Sequence, residues 1–188
     1  MSTSKVQELL AFVRQLPAGM AYAPIYAKGI VTPGGKVSEG KQPLKRAWHV
    51  NMDAADVALH IDRQPDLFKA VGVWTGARSA GLVILDVDRN LARLKKKWGE
   101  SLEGAPVVTS TKQNAAKYLF RIPEALWGSV QGFGLSDTGA GYEVLWGRQG
   151  VIYGAYPGSK NGVAPEVITV LKATWKRSLR LLSGCWRK

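Results

Sequence analysis

The run Leu82-Val-Ile-Leu-Asp-Val-Asp-Arg-Asn90 carries the sharpest chemical signal in the chain. Side chains alternate along a strand, so Asp86 and Asp88 project to one side and Val87 to the other. Two carboxylates at i and i+2, at the end of an apolar strand, repel each other unless a cation lies between them. Their oxygens are hard donors, which suits Mg²⁺ or Mn²⁺. A plainer reading stands beside this one: Asp88 caps the following helix and Asp86 ends the strand in solvent. A third acid, Glu143, sits in Tyr142-Glu-Val-Leu-Trp146 between large apolar neighbours. If that strand lies beside Leu82–Asp88, the three carboxylates make one site. Such a site holds two metals roughly 3.5–4 Å apart and clamps the attacking and leaving oxygens of an in-line phosphoryl displacement.

These acids need a sheet to hold them, and the surrounding sequence predicts one. Leu82 to Asp86 is a continuous apolar run, as expected of a strand buried on both faces. Val71 to Trp74 reads as a short strand ending at Thr75-Gly76. Further strands are expected at Val107 to Thr111, Tyr118 to Ile122, Tyr142 to Trp146 and Val151 to Tyr156. Leu91, Leu94 and Trp98 recur at helical spacing. Upstream, Ser4-Lys-Val-Gln7 resembles a capping box, with Val6, Leu9, Leu10 and Val13 on one helix face and Pro17 as its stop. A second helix is expected from Asp53, burying Ala54, Val57, Ala58 and Ile61. The Gly-, Pro- and Lys-rich segment Pro33 to Pro43 reads as a loop. So does Gly128 to Gly141, with five glycines, read as a mobile loop. The order is mixed α/β without regular βαβα alternation, which predicts an α+β fold rather than a doubly wound one.

Length and composition bound the rest. The 188 residues favour one domain over two, long enough to bury a core without disulfides. The one cysteine, Cys185, and the two histidines, His49 and His60, fit no zinc-ligand spacing. With 26 Lys and Arg against 14 Asp and Glu, the formal charge is +12. Such a surplus favours polyanionic partners, nucleic acid first and anionic membrane second. The N-terminus lacks the apolar core of a signal peptide, and no stretch approaches the ~18 apolar residues of a membrane span. A cytoplasmic, nucleoid-associated protein is therefore expected, or one in the host cytoplasm if a phage or plasmid encodes it.

Taken in order, several of these elements carry a family resemblance. They are Ala23-Pro24, Lys41-Gln-Pro43 with Trp48, then Val71-Gly-Val-Trp-Thr-Gly76 with Ser79 and Gly81-Leu-Val-Ile-Leu-Asp-Val-Asp88. Val108-Thr-Ser-Thr111, Lys117-Tyr-Leu-Phe-Arg-Ile-Pro123 and Tyr142-Glu-Val-Leu-Trp-Gly147, with Gln149 to Gly154, follow. From about Ala21 to Gly158 the chain resembles the primase–polymerase branch of the archaeo-eukaryotic primase superfamily. The resemblance implies an RRM-like catalytic sheet with an N-terminal α/β module packed beside it. It implies a catalytic domain over residues 1–165, followed by a basic helix or tail over 166–188. It also implies nucleotidyl transfer: a 3′-hydroxyl attacks a nucleotide α-phosphate and releases pyrophosphate, with Asp86, Asp88 and Glu143 as metal ligands. Single-stranded DNA or a primer-template, nucleoside triphosphates and a separate replicative helicase are the partners implied.

One departure matters. Where the family places a histidine on the triphosphate after paired glycines, this chain has Asn114-Ala-Ala-Lys117. Lysine still binds phosphate as a point charge. Ser110, Thr111, Lys41, Arg121 and Arg148 are further candidates for nucleotide contact, as is Lys112 near the acids. Arg93, Lys95, Lys96 and Lys97, with Lys172, Lys176 and Arg177 of the tail, suit template phosphates. For each basic residue alone the plainer role is a solvated charge. Trp74, Trp127 and Trp146 are aromatic enough to stack on bases but fit core packing better.

Two other function classes compete. A catalytically weak module of the same fold would bind DNA or nucleotide without synthesis, and Lys117 motivates that reading. A haloacid-dehalogenase-type phosphatase also opens on a strand ending in Asp-x-Asp, but Arg89-Asn90 follows here and the regular alternation is missing. No G-x-x-x-x-G-K-[ST] loop occurs, so no nucleotide-driven motor is expected within these residues.

Overall fold

The computed structural model of the protein describes residues 3–44, 52–130, 136–137, 141–157 and 167–172. In chain order the elements are α1 (Thr3–Val13), β1 (Tyr22–Tyr26), β2 (Lys28–Val31), β3 (Val37–Glu39), α2 (Ala54–Arg63), β4 (Phe68–Trp74), β5 (Leu82–Val87), α3 (Leu91–Leu102), β6 (Val107–Ser110), β7 (Ala116–Arg121), α4 (Trp127–Val130), β8 (Ser136–Asp137), β9 (Tyr142–Leu145), β10 (Gln149–Tyr156) and β11 (Val167–Lys172). The fold is mixed α+β. The chain divides into two units, Met1–Val73 with Val151–Val170, and Trp74–Gly150 with Leu171–Lys188.

In the first unit, strands run β1-β4-β10-β11, and β1 pairs antiparallel with β4, as β10 does with β11. All five β1 side chains are buried. Helix α1 packs on α2, and α2 on β1. Leu9, Leu10 and Val13 form the buried stripe of α1, Val57 and Ile61 that of α2. Asp53 caps α2: its carboxylate accepts from the Asp56 amide, and the Asp56 carboxylate accepts from the Asp53 amide.

Several expectations need correcting here. The capping box at Ser4 does not form, because α1 already starts at Thr3 and the Ser4 hydroxyl donates to Glu8 one turn on, at 3.2 Å. The stretch Pro33–Pro43 is not all loop. It holds β3, which returns antiparallel on β2. The turn is closed by the Gly35 amide on the Thr32 carbonyl (2.8 Å) and the Thr32 amide on that of Lys36 (2.8 Å), with Gly35 at φ +74°. The start of the tail is strand, not helix. Val167, Ile168, Thr169 and Val170 are β-branched and suit a pleated partner. The division proposed at residue 165 and the tail beyond Lys172 lie outside the described residues, as does Trp48.

In the second unit, strands run β6-β7-β5-β9-β8, each paired antiparallel with its neighbours in that run. A central strand with antiparallel neighbours on both sides rules out the parallel sheet that the phosphatase reading needs. Alternation gives the sheet two unlike faces. Val83, Leu85 and Val87 of β5, Tyr118 and Phe120 of β7 and Val144 of β9 share one face. They form a core with Leu94 and Leu102 of α3 and Val130 of α4. The expected loop from Gly128 to Gly141 contains the end of α4 and the short strand β8. Trp127 and Trp146 lie against this core with ring centroids 6.3 Å apart, so burial rather than base stacking accounts for both.

Candidate active site

The opposite face of that sheet carries the acids. In the antiparallel ladders Asp86 is the direct partner of Glu143 on β9 and of Lys117 on β7. Direct partners project to the same side, with Cα atoms about 4.5–5.5 Å apart. Lys117, Asp86 and Glu143 thus form one row across three strands, on the face away from α3. Asp88 follows β5 and is two residues from Asp86, roughly 7 Å along the chain and on the same side by alternation. Its amide donates to the Gly141 carbonyl at 2.9 Å, which extends the β5–β9 register by one more residue. The N-cap of α3 is Asn90, at φ +62°. Asp88 therefore does not cap that helix, and Asp86 does not end its strand in open water, since its side chain is 18% exposed.

Each acid has a basic partner. The Lys117 ammonium donates to Asp86 Oδ2, and its own side chain is 15% exposed. The Arg148 guanidinium donates to Glu143 Oε1. Lys112 Nζ lies 2.6 Å from Asp88 Oδ1 in an exposed pair. Among the described residues no three metal-ligating side chains converge as a ready-made cage. Each of the three carboxylates meets a basic side chain instead.

Two residues that the sequence did not single out as site residues organise this cluster. Thr75 is fully buried. Its hydroxyl donates to the Arg148 carbonyl at 2.8 Å and accepts from the Arg148 amide at 3.1 Å, and its amide donates to the same carbonyl at 2.8 Å. This clamp fixes the backbone that delivers the guanidinium to Glu143. Gly141 supplies the carbonyl that anchors the amides of Asp88 and Arg89, at 2.9 and 3.3 Å. It sits at φ +76°, and a Cβ there would fall 2.3 Å from Arg89 Cγ. Contacts separated by 73 positions, as between Thr75 and Arg148, leave no local pattern to read. Gly141 stood out only as the end of an expected loop.

The remaining candidates are scattered more widely. Ser110 ends β6 on the acid side by alternation, and its hydroxyl accepts from the Lys112 amide at 3.3 Å. Thr111 is exposed just beyond it. Arg121 shares the acid face but sits four residues along β7 from Lys117, roughly 13 Å away. Lys41 belongs to the first unit, where its ammonium lies 4.8 Å over the Tyr156 ring. Arg93, Lys95, Lys96 and Lys97 are exposed on α3, which covers the face opposite the acids. Lys172 ends β11, and Lys176 and Arg177 lie outside the described residues. Among the described residues no helix is long and apolar enough to cross a membrane.

Comparison with curated proteins finds none that matches. A family profile does match, over residues 14–178, which takes in both the acid row and its basic partners. The chain belongs to the Prim-Pol family, the N-terminal domain of bifunctional DNA primase/polymerases.

Proposed function

We propose that the chain is a DNA-directed nucleotidyltransferase, acting as primase, polymerase or both, with Asp86, Asp88 and Glu143 at its centre. The observation that carries this reading is the cross-strand pairing of Asp86 with Glu143 on the sheet face that α3 leaves uncovered. Residues far apart in sequence supply oxygen donors to one place, and family membership gives that place a chemistry. The carboxylates would hold Mg²⁺ or Mn²⁺, a hard-donor set for hard cations. When bound, two such ions supply charge neutralisation at the attacking and leaving oxygens.

The chain's own groups do the positioning. A primer 3′-oxygen attacks the α-phosphorus, the bond to the β-phosphate oxygen breaks, and pyrophosphate leaves. Lys117, Lys112 and Arg148 are within reach of the same acids and would meet the phosphate oxygens of the nucleotide, with Ser110 and Thr111 as hydroxyl donors. Arg121, on the same sheet face, is assigned to nucleotide contact as well. Exposed Arg93, Lys95, Lys96 and Lys97, with Lys172, Lys176 and Arg177, would take template phosphates. The order β6-β7-β5-β9, with α3 between β5 and β6, supports an RRM-like reading of this sheet. We assign residues 1–165 to the catalytic domain and 166–188 to a basic tail whose first strand, β11, pairs with β10.

Primer extension with Mn²⁺ and labelled nucleotides tests the proposal. Wild-type protein should extend a primer, and Asp86→Asn should not, while both retain DNA in a gel-shift assay. Equal extension by the two proteins would remove the site. A second reading, binding without synthesis, is favoured by the pairing of Lys117 with Asp86. That reading predicts nucleotide or DNA binding with no extension by the wild type.

A further inference from the structure

We propose that Lys117 is a resident counter-ion that bars free divalent cation from Asp86 and releases it only when a nucleoside triphosphate arrives with the cation. The proposal rests on the carboxylate site assigned above and goes beyond it. It concerns what this lysine does before substrate binds.

The argument starts from charge. Asp86, Glu143 and Asp88 are already in contact with Lys117, Arg148 and Lys112, so a free dication gains less attraction there than from bare carboxylates. It would also have to displace ammonium and guanidinium groups already in contact with the oxygens it needs. The three pairs are not equal obstacles. Asp88 and Lys112 are 66% and 45% exposed, so water screens their attraction and that pair opens easily. Asp86 and Lys117 are only 18% and 15% exposed. Separating them in place leaves two poorly hydrated charges, and this is the pair that keeps its strength. Lys117 is also fixed by register, as the Cα partner of Asp86, so it cannot drift away when the cation approaches.

A metal–triphosphate complex changes the balance. It offers a dication to the carboxylates and anionic oxygens to the bases in the same event. The Lys117 ammonium then exchanges one oxygen partner for another with no loss of pairing. Lysine is suited to this exchange, as a compact point charge on a flexible four-carbon stem. A neutral imidazole at this position would not hold Asp86 in the same way.

The test is Mn²⁺ binding, followed by calorimetry and by the electron paramagnetic resonance of the free ion. It is done with and without a nucleoside triphosphate whose α–β bridging oxygen is replaced by methylene. Wild-type protein should bind Mn²⁺ weakly alone. Lys117→Met should bind it at least about tenfold more tightly, since a unit charge within a few ångströms is removed. Lys117→Arg, which keeps the charge, should stay near wild type. With the triphosphate analogue present, the gap between wild type and Lys117→Met should narrow to about threefold or less. If Lys117→Met proves unfolded by circular dichroism, Lys117→Gln takes its place. Unchanged or weaker Mn²⁺ affinity in the charge-removed variant overturns the proposal. If Asp86→Asn leaves Mn²⁺ binding with the analogue intact, the carboxylate site itself is wrong, and the lysine's role goes with it.

Discussion

Asp86 and Glu143 are direct partners in the β5–β9 ladder, 57 positions apart in sequence and side by side on one face of the sheet. Like charges directly opposed across two strands destabilise a sheet. Here the cost is offset by Lys117 on one flank and Arg148 on the other. The row carries charge that folding alone does not require. Apolar Leu82, Ile84, Leu119 and Leu145 continue the same face and are buried. Substituting either acid should therefore cost activity far more than stability. Asp86→Asn and Glu143→Gln should each lower primer extension by about a thousandfold, the scale of losing several kcal/mol of charge stabilisation. Rates under saturating Mn²⁺, with melting temperatures beside them, check this.

The Asp86–Lys117 and Asp88–Lys112 pairs should differ in strength. Asp86–Lys117 is mostly shielded from water and Asp88–Lys112 is not. A double-mutant cycle on urea unfolding should give a coupling of about 1–3 kcal/mol for the first, since removing one partner leaves a shielded charge unpaired. The second should give about 0.2–1 kcal/mol and shrink in high salt. Equal couplings would contradict the difference in exposure.

The acid row was legible in the sequence, but its neutralisation was not. Alternation through Leu82–Asp88 places both aspartates on one side of a strand, and a single strand's periodicity suffices for that. The partnership with Glu143 depended on which strands pair, which local pattern does not encode. Lys117 read as a phosphate ligand because its place in the chain matches a histidine of the family. Its ladder position opposite Asp86 appeared only with the β5–β7 register. Strand β1 went unread because Tyr22-Ala-Pro-Ile-Tyr26 has a proline inside it. Pro24 is accommodated there opposite Val71, with its carbonyl accepting from the Leu44 amide at 3.0 Å. The β2–β3 hairpin was missed because Val31 and Val37 are both exposed, so no buried face imposes an apolar period.

Gly81 offers a test of the approach to β5. Its φ is +80°, and a Cβ would fall 2.4 Å from the Ile122 carbonyl oxygen and 2.6 Å from Trp127 Nε1. The Ile122 amide donates to the Gly81 carbonyl at 3.0 Å, so the backbone cannot move aside without losing that bond. Gly81→Ala should destabilise the protein by about 2 kcal/mol or more, combining left-handed strain with the clash. Gly99→Ala, in helix α3 with nothing within 4 Å of the added methyl, is the matched control and should be neutral or stabilising.

Tyr118 gives a pH signature. It is buried in the α3-covered core, and burial raises its phenol above the ordinary 10.0. A raised acid favours its protonated form in the folded state. Its contribution to stability is thus complete below pH 10 and is lost as pH rises from there toward the raised folded value. Urea midpoints of the wild type should fall in that window. Tyr118→Phe should fall less steeply, because its other ionisations are shared with the wild type. Parallel curves for the two proteins would show that the phenol is not shielded.

The basic face of α3 separates binding from chemistry. Leu94 and Leu102 hold this helix on the sheet face opposite the acids, and Arg93, Lys95, Lys96 and Lys97 point away from it, exposed. From there they cannot reach phosphates held at Asp86 and Glu143. They can contact only flanking template, where each phosphate neutralised contributes a slope of about 0.9 in log affinity against log salt. Arg93→Ala with Lys96→Ala should weaken DNA binding in 50–200 mM salt and reduce that slope by about 1–2. The single-turnover rate at saturating DNA should stay within about twofold of wild type, a change below ~0.4 kcal/mol. Fluorescence anisotropy across a salt series measures the slope, and rapid quench measures the rate. An unchanged slope would return these residues to ordinary solvated charges, and a large fall in rate would mean that α3 positions the acids through its packing rather than the template through its charge.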